Sequence, residues 1–348
     1  MGYIQGKKEI YMEKLNLGIA YHGNRILDSV RTDLKDILNH NMNLVVHMFT
    51  HNDMKRHKSV MKDIFSATKD LGLDFWVDNW GLGGPPGDVS HILQYFPEAH
   101  QVDSSGAVDP VRVCFNSKRY RGFVKEWLEV VREAGGETIF WDEPHLKEEN
   151  GIYSCCCETC KKLFEERYAR PMPETIDDDV RKFRSDSISE YFDEITKYSK
   201  SLGFKNIVCL MPTSLGFFNR MLSVDDIDGM GVDPYWVGGK KEPYEYVYNH
   251  STDFIRKCSE AKKDPHVWIQ TYENPAGREN EIYLAADAAY DAGARTILSW
   301  SFRGGEACDY RARNTDIVWN VTGDAMRRLT DRHMSEERNK IRKQLNLE

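Results

Sequence analysis

Short apolar runs alternate along the chain with longer stretches whose apolar residues recur every three or four positions. The runs fall at 15–21, 44–49, 74–77, 137–141, 206–211, 230–235, 267–272 and 296–300. They are rich in Val, Ile and aromatic residues, the pattern of parallel strands buried on both faces. The amphipathic stretches between them predict helices over 25–38, 55–69, 117–133, 159–200, 244–261, 279–292 and 315–345. The fourth of these is broken near Pro171 and Pro173. Eight strands, most followed by a helix, predict an α/β fold: a single (β/α)8 TIM barrel over residues 1–348. An open doubly wound sheet is the rival. The count of eight favours the barrel, as does the lack of a Gly-x-Gly-x-x-Gly turn after the first run.

Two loops stand out. The one after the third run holds Gly83-Gly84-Pro85-Pro86-Gly87, and the one after the fourth holds Cys155, Cys157 and Cys160. In a barrel the carboxyl ends of all strands open on one mouth, where chemistry concentrates. Here those ends are polar. They bring His47 and His51; Asp78, Asn79 and Trp80; Asp142, Glu143 and His145; Asp233, Tyr235 and Trp236; Gln270, Tyr272, Glu273 and Asn274; Trp300 and Arg303.

Cleaving an acetal bond takes two carboxyl groups, one protonated and one ionised. Glu143 after strand four and Glu273 after strand seven face each other across such a mouth. Glu143 is the acid/base candidate and Glu273 the nucleophile candidate, with an exposed loop carboxylate as the plain alternative for each. Asp78, Asn79, Asp142, Asp233, Tyr235 and Arg303 are candidates to hold substrate. Trp80, Trp236 and Trp300 are candidates for a stacking platform, with rim packing as their alternative. His47 and His51 stand four apart at a strand end and cannot both point inward without a bend. A polar-lining role is favoured over metal ligation for them.

Three thiols in C-x-C-x-x-C spacing supply most of a tetrahedral zinc site, and Cys114 is the best fourth ligand. Free thiols are the alternative. Cys156 is expected to point away, Cys209 to sit in the core, and Cys258 and Cys308 to lack partners. The net charge of −8 argues against nucleic acid as the main partner. No run of about 18 apolar residues predicts a membrane span. The start, MGYIQGKKEIYMEK, lacks the apolar core of a secretory signal, so a cytoplasmic location is expected, with thiols rather than disulfides. The charged segment 327–343 reads as a solvated helix, with a homo-oligomer contact as the alternative.

The stretch from Cys114-Phe115-Asn116-Ser117 through Cys155-Cys156-Cys157-Glu158-Thr159-Cys160 resembles the clan A retaining glycosidases, most closely the family 42 β-galactosidases. In that family a Cys-Pro-Asn-Ser opens a helix, an Asn-Glu pair ends strand four, and a Cys-x-Cys-x-x-Cys loop follows. The resemblance implies that Cys114, Cys155, Cys157 and Cys160 bind structural zinc. It implies Glu143 as acid/base and Glu273, in Tyr272-Glu273-Asn274-Pro275, as nucleophile. The chain departs from the family at Phe115, where the family has Pro, and at Asp142, where it has the Asn that holds the substrate 2-hydroxyl. The expectation is a retaining glycoside hydrolase acting on a small glycoside or oligosaccharide. A barrel lyase or isomerase acting on a sugar acid, using His47 and His51, is the first alternative. A non-catalytic carbohydrate-binding barrel is the second.

Overall fold

Side chains alternate between the two faces of a strand, so closing eight strands turns one set inward and the other toward the helices. The computed structural model describes residues 12–80, 92–239 and 241–345. Its barrel strands are β1 (Asn16–Tyr21), β2 (Leu44–Met48), β3 (Asp74–Asp78), β4 (Thr138–Trp141), β5 (Lys205–Leu210), β6 (Gly229–Val232), β7 (Asp264–Gln270) and β8 (Thr296–Trp300). All pair in parallel in chain order, and β8 returns to β1 with Thr296 opposite Asn16. The barrel read from the sequence is the fold. The Gly/Pro loop at 83–87 lies outside the described residues.

The inward set is Ala20, Val46, Met48, Phe140, Ile207, Cys209, Trp268, Leu298 and Trp300, with Trp76 and Tyr272 against it. The outward set, including Ile19, Val45, Val77, Ile139, Val208, Ile269 and Ile297, forms a larger core under the helices. Glycine makes room for large rings inside the barrel. A Cβ on Gly231 would lie 2.0 Å from Nε2 of His266. That histidine packs against Trp76 and Phe140, and burial pulls its pKa down to about 3. It is a neutral filler of the barrel.

Alternation also corrects one expectation. Val46 and Met48 face inward, so His47 between them faces out. Its Nε2 meets Oγ1 of Thr68 at 2.9 Å, between Phe65 and Phe75. It is not part of the mouth. His51 is buried against Phe123.

The helix predicted over 159–200 is two helices, α1 (Glu158–Tyr168) and α2 (Asp178–Ser201), with Pro171 and Pro173 between them. Asp177 caps α2 by accepting from the amide of Val180. Two short antiparallel ladders, His100–Val102 with Val108–Val113 and Glu148–Glu149 with Ile152–Tyr153, do not follow from the apolar pattern. They tie the loops after β3 and β4 together. The amide of Cys156 donates to the carbonyl of Val102 at 2.6 Å, and Asp103 bridges to Ser154. Arg184 on α2 is buried beneath and donates to the carbonyls of Leu146, Lys147 and Ser154. No described helix is long and apolar enough to cross a membrane.

Candidate active site and thiol cluster

Four carboxyl groups meet at the mouth: Asp78 from β3, Asp142 and Glu143 from the end of β4, and Asp233 from the end of β6. The side chains of Glu143 and Asp233 lie within hydrogen-bonding reach of each other. Two carboxyl groups bond to each other only when one carries a proton. Burial raises the pKa of Glu143, with the bond to Asp233 opposing. Burial, then the charge of Glu143, pushes Asp233 well up. Burial does the same to Asp78 and Asp142, which also repel each other or Glu143. The mouth therefore holds protons above the ordinary carboxylate range, as a general acid requires. Because the groups are coupled, those protons belong to the cluster and not to single residues.

Backbone hydrogen bonds and turns set the geometry. Asn79 Oδ1 accepts from the amide of Asp142 at 3.0 Å, and Asp78 Oδ1 accepts from the amide of Trp80 at 2.9 Å. Glu143, Glu273 and Arg303 all adopt left-handed backbone, with φ of 32°, 51° and 49°. Non-glycine residues rarely do so, and here three lie just past the ends of β4, β7 and β8.

Rings complete the lining. Trp80 and Trp300 lie 4.8 Å apart, and His22 from the end of β1 touches both, at 5.0 and 4.9 Å. Burial, then Arg25, lowers the His22 pKa to about 4, so the imidazole is neutral. The sequence reading passed over His22; its place directly after the first apolar run was the available signal. Tyr235 and Tyr272, past the ends of β6 and β7, meet edge-on.

Other expected residues sit elsewhere. On β7 the face that carries Trp268 continues through Gln270, whose amide is held by Val237 and Tyr272. Glu273 falls beyond that face and is exposed. It lines an outer cavity of 1340 Å³ with Asn274, Arg278, Arg311 and Arg313. Trp236 is fully buried in the outer core, its indole N–H donating to Glu281 at 2.8 Å. Arg303 is half-buried, with Glu306 at 3.6 Å and Asp316 at 3.9 Å.

Cys114, Cys155, Cys157 and Cys160 converge beside the mouth, buried, with all four sulfurs within 4.8 Å of one another. Cys114 lies 3.4 Å from Cys160 and 3.6 Å from Cys157. A tetrahedron of thiolates at the usual zinc–sulfur length of about 2.3 Å has sulfurs about 3.8 Å apart. The set therefore fits a four-thiolate metal ion. Asn116 supports it, donating to Sγ of Cys160 at 3.3 Å and to Ser187 at 3.0 Å. Cys156 stands outside, its thiol directed to the carbonyl of Tyr153. Among the described residues no other His, Cys, Asp or Glu group has metal-binding geometry.

No protein-family model matches the chain, and no curated protein matches its sequence. Solved structures do match in shape. The catalytic domain of β-amylase from Paenibacillus polymyxa is similar with a TM-score of 0.63 and 9% identity, over 84% of this chain and 93% of that one. The endo-β-1,4-mannanase from Thermotoga petrophila is similar with a TM-score of 0.55 and 13% identity, over 91% and 76%. At these identities the likeness establishes the class of fold, the (β/α)8 barrel.

Proposed function

We propose that this chain is a glycoside hydrolase with Glu143 as its proton donor. The observation that carries the reading is the Glu143–Asp233 pair, buried at the catalytic face of the barrel beside the Trp80–Trp300 platform. The resemblance around Cys114–Cys160 and the two glycosidase neighbours in shape support it. Glu143 protonates the leaving oxygen as the glycosidic C–O bond breaks. In the free pair the shared proton rests more firmly on Asp233 than on Glu143, so this course needs it to pass to Glu143 as the sugar enters. Asp233, then ionised, attacks the anomeric carbon, and water later displaces Asp233 with Glu143 taking the water's proton. A hydrogen-bonded pair is closer than the separation of about 5–5.5 Å at a retaining site, so the sugar must part the two groups; that smaller opening is preferred here over the gap of about 6.5–9.5 Å for inversion. Asp78, Asp142 and Asn79 hold the sugar, and the indoles stack on it.

Glu273 is the rival for the nucleophile, favoured by the resemblance and disfavoured by its exposure on the rim. Assays of the wild type, Glu143→Gln, Asp233→Asn and Glu273→Gln on a panel of aryl glycosides and oligosaccharides decide the assignment. Turnover lost with Glu143 and Asp233 but kept with Glu273 supports it. Loss with Glu273, rescued by azide, transfers the nucleophile role. Silence of the wild type across the panel, with aryl glucosaminides and glucosamine oligosaccharides included, refutes a glycosidase.

We also propose that the four thiolates hold zinc. It would supply a structural cross-link only, since four sulfur ligands leave no position for water. Metal analysis of the purified protein tests this; a metal-free protein whose thiols all titrate refutes it.

A further inference from the structure

We propose that the mouth recognises an ammonium group, so that the substrate is a glycoside of an amino sugar bearing a free amine. The word glycoside rests on the reading above; the ammonium rests on separate observations.

The first is aromatic. Trp80 and Trp300 pack 4.8 Å apart at 36°, with His22 against both, and Trp80 is only half-buried. Indole faces attract cations, most strongly where water is excluded. The second is an unmet acceptor at the same place. Asp78 has no exposed surface, and its Oδ1 is bound to the amide of Trp80, while its Oδ2 has no hydrogen-bond partner. A buried carboxylate oxygen without a donor is costly unless something binds it. Asp142 Oδ2 and Asp233 Oδ1 are likewise buried and unpartnered.

The third observation is the charge balance. Among the described residues, no ion pair joins a lysine or arginine to Asp78, Asp142, Glu143 or Asp233. The one arginine near His22 is held away from them. Arg25 grips Asp53 with two bonds of 2.6 and 2.7 Å and donates to the carbonyls of Gly23 and Met48. His22 is neutral and its Nε2 is unpartnered, so it adds no competing charge. A neutral sugar offers only hydroxyl donors, whereas an ammonium favours the ionised form of Asp78 and binds as that carboxyl gives up the proton its raised pKa retains. An amine set between the Trp80 face and Asp78 Oδ2 supplies both the donor and the charge, and the remaining oxygens accept hydroxyls.

The test is calorimetric binding near neutral pH and low salt. The ligands are the β-1,4-linked glucosamine disaccharide, its N,N′-diacetyl form, and cellobiose. The proteins are the full chain, Asp78→Asn and Trp80→Leu. The free amine is expected to bind at least about tenfold tighter than either neutral disaccharide, with the preference lost in both variants and weakened by salt. Equal or tighter binding of the neutral sugars, or no binding of the amine, overturns the proposal. The wild-type ligand comparison decides even if one variant does not fold. Amine binding without turnover would remove the glycosidase reading and leave this inference. Turnover of neutral aryl glycosides with no preference for the amine would do the reverse.

Discussion

Replacing Cys160 by Ser removes one corner of the thiol cluster, and the consequence for stability follows from where the corners lie. Cys114 and Cys160 are 46 residues apart, separated by a helix, strand β4 and the loop that carries Glu143. A cross-link closing a loop of that length restricts the unfolded chain by about 4 kcal/mol on the chain-entropy relation. The unfolding entropy expected for 348 residues is about 0.7 kcal/mol per kelvin, so the loss lowers Tm by about 5 °C. Zinc content by mass spectrometry and melting by calorimetry, with and without chelator, measure both halves. Wild type treated with chelator and Cys160→Ser should melt together below untreated wild type. If the untreated protein carries metal yet melts with the variant, the cluster is not a clamp. If Cys156→Ser matches Cys160→Ser, the ligand set is wrong, since Cys156 stands outside the cluster.

Glu143→Gln should lower kcat by about 10²–10⁴-fold with a smaller change in KM, because the proton is needed at the transition state; an unchanged kcat removes Glu143 from the mechanism. The mouth carboxyl groups also set a pH dependence. Their pKa values are raised in the folded state, so folding binds protons that the unfolded chain releases. The stability they contribute is present below the ordinary carboxylate range and is lost as pH rises through the folded values. Asp78→Asn should therefore stabilise the protein by about 0.5–2 kcal/mol at pH 8 and hardly at all at pH 4; melting curves showing the same shift at both would contradict this. Gly231→Ala should destabilise by about 1–3 kcal/mol, through overlap with His266, and a second change, His266→Ala, should recover part of the loss. Urea unfolding of the single and double variants reads that coupling.

The sequence by itself determined the architecture. Eight apolar runs with helical stretches between them admit few closed arrangements, because strands apolar on both faces must be covered inside and out. It also determined the thiol cluster, since C-x-C-x-x-C spacing is a local constraint and Cys114 opens a helix at the same end of the barrel. The place of Glu143 at the mouth was legible for a like reason, two residues past the end of a buried strand. What only the tertiary structure decided is which side chains turn inward. His47, Trp236 and Glu273 all stand at strand ends in the sequence. The two-residue period of β2 sends His47 against Thr68. Trp236 goes to Glu281, and a left-handed turn past β7 carries Glu273 to the rim. Conversely, His22 and the pairing of Glu143 with Asp233 join residues far apart in the chain, on strands brought together only by closure of the barrel. The pKa shifts belong to that closure too, since burial and neighbouring charge are properties of the assembled mouth and of no single segment.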